Sequence, residues 1–198
     1  MKEEFLFLSN LYPRIYNWLT TKTPGERTYI SYIKEYDENV WKKIRDKIDE
    51  ISKKDVLSNI EKDFLKCKYV GNAYRIINYN SKKRGHVYAH GFCQSCSKKI
   101  DSLKKMNIFN PILIEIEVTN NLYGIDVFEL LTFMWQNNLI SIEDNKKYNC
   151  SRLISYEFEE EVIVPIFEKN IMNVSVANFR ENTYENLPRN KWFRKNLK

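Results

Sequence analysis

The first third of the chain places apolar residues at helical spacing among charged ones. Between positions 26 and 68 apolar side chains recur every three or four residues, with lysine, aspartate and glutamate between them. This period puts the apolar residues on one face of a helix. The segment therefore predicts a pair of amphipathic helices, broken near 52–55 and preceded by a turn at Thr23-Pro24-Gly25.

The rest of the chain has the pattern of strands. Runs of β-branched and aromatic residues between polar segments predict five strands, at 73–78, 86–92, 111–118, 157–166 and 172–179. Ser97 is predicted to cap a short helix that runs to 105, and Asp126 another that runs to 135. Helices followed by strands with short helices between them indicate the α+β class.

An acidic run stands at the entrance to the fourth predicted strand. Glu159, Glu160 and Glu161 directly precede the apolar residues 162–166. In an extended chain Glu159 and Glu161 point to one side and Glu160 to the other, so two carboxylates share one space. Such a pair is costly unless a cation or a hydroxyl group meets it. By itself the run also fits a solvated edge strand whose charges resist aggregation.

Two shorter motifs precede this run. In chain order the three motifs are Tyr74-Arg75, then Phe92 followed by Ser95-Cys96-Ser97, then Glu159-Glu160-Glu161 ahead of Val162-Ile163-Val164-Pro165. The order arginine, Ser-x-Ser, Glu-x-Glu resembles the arginine-serine-glutamate clade of mono-ADP-ribosyltransferases, which includes clostridial-type toxin domains and vertebrate ecto-enzymes. The resemblance covers about 69–176.

The chain departs from that family at three places. Cys96 stands where the family has threonine, and Ile76 stands where it often has glycine. The segment 131–152 is longer than the family pattern, and we interpret it as an insertion.

The resemblance implies a fold and a reaction. It implies N-terminal helices and two small antiparallel sheets packed face to face around a cleft that binds NAD. The expected enzyme transfers ADP-ribose from NAD, its substrate, to a protein and releases nicotinamide. Glu161 resembles the catalytic glutamate, and Ser95 is expected to orient it. Glu159 matches the residue that assists an arginine acceptor, so arginine on a protein is the expected target.

The NAD-binding residues are also carried by the resemblance. Arg75 is expected to anchor the pyrophosphate or a ribose, a role suited to a planar, permanently charged group. Tyr74, Ile76, Phe92 and Ser97 complete the expected set. Each has a structural alternative, because Arg75 also fits a surface ion pair and Phe92 fits a core position.

Two other functions remain open. The same cleft would serve an NAD glycohydrolase that ends in hydrolysis, although Glu159 favours transfer. The net charge of +6 and the basic segment 180–198 also fit a non-catalytic module that binds nucleic acid or protein. That module leaves the order of the three motifs unexplained, and nucleic acid is therefore the less favoured partner.

Length and composition favour one domain of 198 residues: a helical part, 1–68, a strand-rich catalytic core, 69–179, and the basic tail. No apolar stretch reaches 18 residues, and the opening lacks the cleavage site of a signal peptide. We therefore expect a cytoplasmic protein, in the producing cell or in a host cell. Cys93 and Cys96 form a C-x-x-C without a second ligand pair, and no metal is predicted.

Overall fold

The computed structural model describes residues 3–20, 38–77, 87–88, 90–105, 111–148, 160–188 and 193–194. The chain divides into two compact units, which we call the helical unit and the sheet unit. The helical unit comprises 1–68 and 125–159, and the sheet unit comprises 69–124 and 160–198. The fold is α+β, as the sequence predicts, with six α-helices among the described residues.

Five of these helices belong to the helical unit. They are α1, Leu6–Thr20, after a 3-10 turn at Glu3–Phe5; α2, Glu38–Ile51; α3, Asn59–Leu65; α5, Val127–Gln136; and α6, Ile142–Tyr148. The apolar residues of α2 are buried at the predicted three- and four-residue steps. The predicted break at 52–55 is confirmed. The turn at 23–25 lies outside the described residues.

Three phenylalanines from distant parts of the chain meet in the helical unit. Phe5, Phe64 and Phe133 have ring centroids 5.0 to 5.1 Å apart in tilted and edge-to-face arrangements. Such geometry is favourable for aromatic pairs beyond the area they bury. Phe133 lies on α5, so the first part of the segment 131–152 contributes to this core.

The two predicted helix caps have different outcomes. Asp126 caps α5, and its side chain accepts a hydrogen bond from the Glu129 N–H, so this prediction is confirmed. The helix after Ser97 is α4, Ile100–Lys104, and its N-cap is Lys99. The prediction that Ser97 is the N-cap is wrong by two residues. Ser97 is the last residue of β4, and its hydroxyl accepts a hydrogen bond from the Lys99 N–H in the turn before the helix.

The described strands form one eight-stranded antiparallel sheet and a separate two-stranded ladder. The sheet order is β1 (Lys68–Tyr69), β6 (Gly124–Asp126), β7 (Glu161–Phe167), β4 (His90–Ser97), β2 (Gly71–Ile77), β5 (Ile112–Val118), β8 (Ile171–Asn178), β9 (Thr183–Asn186). The ladder pairs β3 (Val87–Tyr88) with β10 (Phe193–Arg194) in parallel. Two sheets packed face to face, which the resemblance implies, are not shown.

The sheet is nearly interrupted at its centre. The register between β2 and β5 covers every residue of β2, from Gly71 to Ile77. Between β2 and β4, in contrast, Tyr74 and Ser97 form the one register pair among the described residues. Two groups of four strands are thus joined by one register pair.

One face of the sheet carries the main core of the sheet unit. Its members come from β2, β4, β5, β7 and β8 and include Ala73, Cys96, Ile114, Val162 and Val164. The other face carries a smaller apolar cluster, in which Leu103 of α4 packs with Leu113 and Ala177. None of the described helices combines the length and the apolar character that a membrane span needs.

Candidate active site

The register of β4 against β7 brings Ser95, Ser97 and Glu161 to one face of the sheet. Ser97 pairs with Glu161, and Ser95 pairs with Ile163. Side chains alternate along a strand, so these residues share the face opposite Cys96 and Val162. The Ser95 hydroxyl donates a hydrogen bond to the Glu161 carboxylate. The sequence motifs at 95 and 161 therefore meet through a direct contact.

Arg75 joins this pair from the neighbouring strand. It follows Tyr74, the residue that forms the single register pair with Ser97. Beyond this pair the strands separate, and Arg75 Nη1 donates to the main-chain oxygen of Ser95 at 2.5 Å. The guanidinium thus lies beside the Ser95–Glu161 pair at the point where the two groups of strands part.

The carboxyl of Glu161 has lost much of its hydration. The residue is half-buried, and burial raises its pKa to about 7, against the opposing effects of the Ser95 hydrogen bond and the Arg75 charge. A carboxyl in such surroundings ionises near neutral pH. Once ionised, it interacts strongly with a positive charge, because little water screens the interaction. Shifts of this size with a specific charged neighbour are typical of functional sites.

Three other residues expected to bind NAD make local contacts within the sheet unit. Ser97 is buried, and its hydroxyl donates to the Lys99 carbonyl at 2.7 Å and accepts from the Lys99 N–H at 3.1 Å. That hydroxyl is engaged in a local turn. Tyr74 and Ile76 are half-buried on β2, packed against the cluster around Leu103.

Phe92 and Glu159 complete the residues that the sequence singled out. Phe92 lies in β4, and its side chain is outside the part of the chain that the structure describes. Glu159 lies outside the described residues, and its expected role stays a prediction. The structure therefore brings Arg75, Ser95 and Glu161 together and is silent on these two.

Two contacts beside the site were not predicted. Lys99 Nζ and Glu160 Oε1 are 2.6 Å apart, and the Lys98 N–H donates to the Glu160 main-chain oxygen at 2.7 Å. Glu160 directly precedes Glu161. The sequence signals for this pair are weak, since lysine pairs and acidic runs are usually solvated.

The C-x-x-C of the sequence does not form a ligand pair. Cys93 and Cys96 form no disulfide, and a separation of three residues along β4 points them to opposite faces. Burial raises the pKa of Cys96 to about 12. In the part of the chain that is described, no group of three histidine, cysteine or acidic side chains is arranged to hold a metal ion.

Comparison with models of protein families, with curated proteins and with solved structures finds no match to this chain. The functional interpretation therefore depends on the order of the motifs and on the geometry of Arg75, Ser95 and Glu161.

Proposed function

We propose that this chain is an NAD-dependent mono-ADP-ribosyltransferase that modifies arginine on a protein and releases nicotinamide. The observation that carries the proposal is the hydrogen bond from Ser95 to Glu161, with Arg75 bound to the same serine. Arg75 lies 20 positions before Ser95, and Glu161 lies 66 positions after it. One residue from each of the three motifs thus takes part in this cluster. A solvated edge strand does not require that convergence.

The position of these residues in the sheet also supports the proposal. They lie where β2 and β4 share a single register pair and then diverge. The two groups of four strands on either side are compatible with the two sheets of the ADP-ribosyltransferase fold, which is part of this proposal.

The chemistry of the three side chains suits NAD. When the bond between the nicotinamide nitrogen and the ribose breaks, its electron pair leaves with nicotinamide and the ribose becomes cationic. A half-buried carboxylate such as Glu161 stabilises that cation more in the transition state than in the ground state. Ser95 holds the carboxylate in place, and Arg75 offers a charged fork to a phosphate.

The acceptor completes the reaction. A guanidinium nitrogen of the target arginine forms the new bond to the ribose carbon, and the guanidinium loses a proton. Glu159 stands two residues before Glu161 in the sequence and is proposed to assist that loss. If water captures the ribose instead, the outcome is NAD hydrolysis. Both outcomes need Glu161.

The test follows label from NAD. We expect the wild-type protein, incubated with NAD labelled in the adenylate and with a cell lysate, to label discrete proteins and to release nicotinamide. The label should be lost with hydroxylamine, as arginine linkages are. Glu161→Gln should reduce nicotinamide release by at least about a hundredfold, since removing one group that stabilises transition-state charge has that effect.

The matched control is Glu115→Gln. Glu115 is another half-buried glutamate of the sheet unit, and it accepts a hydrogen bond from Asn173 at 3.2 Å. This variant should keep wild-type turnover. Nicotinamide release without labelled protein would favour the glycohydrolase, and the absence of NAD consumption would overturn the proposal in favour of a binding module.

A further inference from the structure

Glu160, the residue between the two glutamates of the motif, is held by the two residues that follow the neighbouring strand β4. Glu160 Oε1 lies 2.6 Å from Lys99 Nζ, and its main-chain oxygen accepts the Lys98 N–H at 2.7 Å. The second contact extends the β4–β7 ladder by one step beyond the Ser97–Glu161 pair. Residues 98 and 99 thus hold the chain at the point where it enters β7.

The turn that carries Lys99 is itself held by Ser97. The Ser97 hydroxyl accepts from the Lys99 N–H and donates to the Lys99 carbonyl. Hydroxyl groups that bridge main-chain groups two residues on are a common device for shaping turns. Both main-chain polar groups of Lys99 are fixed in this way, and its side chain is directed to Glu160.

We infer that Lys99 and Glu160 form a clasp that positions Glu161 against Ser95, with Ser97 setting the turn. Glu161 is the first residue of β7, so the direction of its side chain depends on the main chain at 160. Release of Glu160 lets this end of the strand move and breaks the Ser95–Glu161 hydrogen bond. The part of the inference that concerns turnover rests on the proposed function. Lys99, Glu160 and Ser97 are positioning residues.

The size of the effect follows from the exposure of the pair. The Lys99 side chain is 69% exposed and that of Glu160 is 23% exposed. Ion pairs of this kind contribute at most about 1 kcal/mol, so breaking the clasp should reduce the correctly oriented population of Glu161 about threefold to fivefold. Substitution of Lys99 or Glu160 should therefore not prevent folding.

The first test measures the titration of Glu161 by NMR of the labelled carboxyl carbon, in the absence of NAD. The variants are Lys99→Met and Glu160→Met, which keep an unbranched side chain of similar length and remove the ion pair. Simple electrostatics predicts opposite effects: loss of a positive charge raises the pKa of Glu161, and loss of a negative charge lowers it. The clasp predicts that both variants move the pKa of Glu161 in the same direction, because both release its carboxyl from Ser95 and change its burial in the same way.

The matched control is Lys104→Met. Lys104 pairs with Asp101 at 2.8 Å on the same short helix, and its loss removes the same charge without releasing Glu160. The Glu161 titration should keep the wild-type midpoint in this variant. Shifts of opposite sign in the two clasp variants, as simple electrostatics predicts, or no change in either variant, overturn the inference.

The second test is kinetic. Both clasp variants should lower kcat for nicotinamide release about threefold to fivefold, with KM for NAD changed by less than about twofold because Arg75 is untouched. The exchanged pair, Lys99→Glu with Glu160→Lys, should restore most of kcat. If the wild-type protein does not consume NAD, the proposed function fails, and the NMR result alone decides whether the clasp positions Glu161.

Discussion

At the scale of single residues, the neighbours of Glu161 stabilise its charged form and its burial destabilises that form. Ser95 and Arg75 favour the charged carboxylate, and the loss of hydration opposes it more strongly. The net result is a carboxyl whose folded pKa, about 7, exceeds its ordinary value of 4.5. Burial of a charge-bearing group at a functional site commonly costs stability in this way.

That cost predicts a stabilising substitution. Between pH 4.5 and 7 the folded state keeps a proton on Glu161 that the unfolded state has released, so the wild-type protein loses stability as pH rises through this window. Glu161→Gln carries no such charge. We expect its free energy of unfolding to exceed that of the wild type by about 1–2 kcal/mol at pH 8, after allowance for partial exposure.

Urea unfolding at pH 5 and pH 8 checks this expectation. The gain should be small at pH 5, where the wild-type carboxyl is protonated in the folded state. Glu115→Gln again serves as the control for exchanging a half-buried glutamate for glutamine in the sheet unit. An equal effect of Glu161→Gln at the two pH values would contradict a raised pKa for Glu161.

At the scale of elements, β6 lies unusually close to β7, the strand that begins with Glu161. A Cβ atom built on Gly124 meets Val162 Cγ2 at 2.6 Å and the Ile163 carbonyl oxygen at 3.2 Å. Valine is stiff at its first side-chain torsion, so it cannot move aside without cost. We expect Gly124→Ala to destabilise the protein by about 1–3 kcal/mol.

A double-mutant cycle with Val162→Ala identifies the cause. Val162→Ala alone leaves a cavity and should also destabilise. The two changes together should cost less than the sum of the single effects, because the smaller side chain at 162 makes room for the new methyl group. Strict additivity in thermal unfolding would show that the close approach is not what limits position 124.

A second element, α3, begins with a reciprocal cap. Glu61 accepts hydrogen bonds from the Ser58 N–H at 2.8 Å and from its hydroxyl at 2.7 Å, and it also pairs with Lys54. The contact with Lys54, followed by those with Ser58, lowers the pKa of Glu61 to about 2. The stability that this carboxylate contributes is therefore complete above pH 4.5 and is lost as pH falls towards 2.

We expect Ser58→Ala to cost about 1 kcal/mol at neutral pH, the usual value for an N-cap. Glu61→Gln should also destabilise at pH 7 and should make stability less sensitive to acid below pH 4.5. Tryptophan fluorescence suits this measurement, since Trp18, Trp41 and Trp135 all belong to the helical unit. Asp63→Asn, at an exposed ion pair with Lys66, is the control and should change little.

At the scale of the whole molecule, the sequence predicts elements best where the pattern is strong and local. β5 was expected at 111–118 and is found at Ile112–Val118, because an unbroken row of β-branched residues on one face alternates with Leu113 and two glutamates on the other. α5 follows from Asp126, whose cap is visible in the sequence. α1 lies in the predicted helical part, 1–68, but its bounds were not predicted, and Pro13 stands inside it. β9 was also missed, because all four of its residues are exposed and show no alternation.

The candidate site also combines residues that the sequence predicts with a contact that it does not. The motifs at 75, 95 and 161 were recognisable from residue type and order, and the structure brings these residues into contact. The Lys99–Glu160 pair spans 61 positions, and no local spacing encodes it. The roles of these residues in catalysis and NAD binding stay predictions.

The division of the chain into units leads to the last prediction. All three motifs lie after residue 68, in or directly beside the strand-rich core that the sequence predicts at 69–179. The units are interleaved, however, and α5 belongs with the first 68 residues. Its residues Leu130, Leu131 and Met134 are fully buried, and Phe133 packs against Phe5 and Phe64.

A chain that begins at Tyr69 leaves this apolar surface of α5 without its partners, and exposed patches of that kind cause aggregation. We therefore expect the fragment 69–198 to aggregate or to unfold without cooperativity in near-ultraviolet circular dichroism. In the full chain, Phe133→Ala should cost about 3–5 kcal/mol, whereas Trp135→Ala, at a residue 41% exposed, should cost far less. A monomeric fragment with a sharp unfolding transition would mean that α5 finds other partners, and that the helical unit is not required to keep the sheet unit folded.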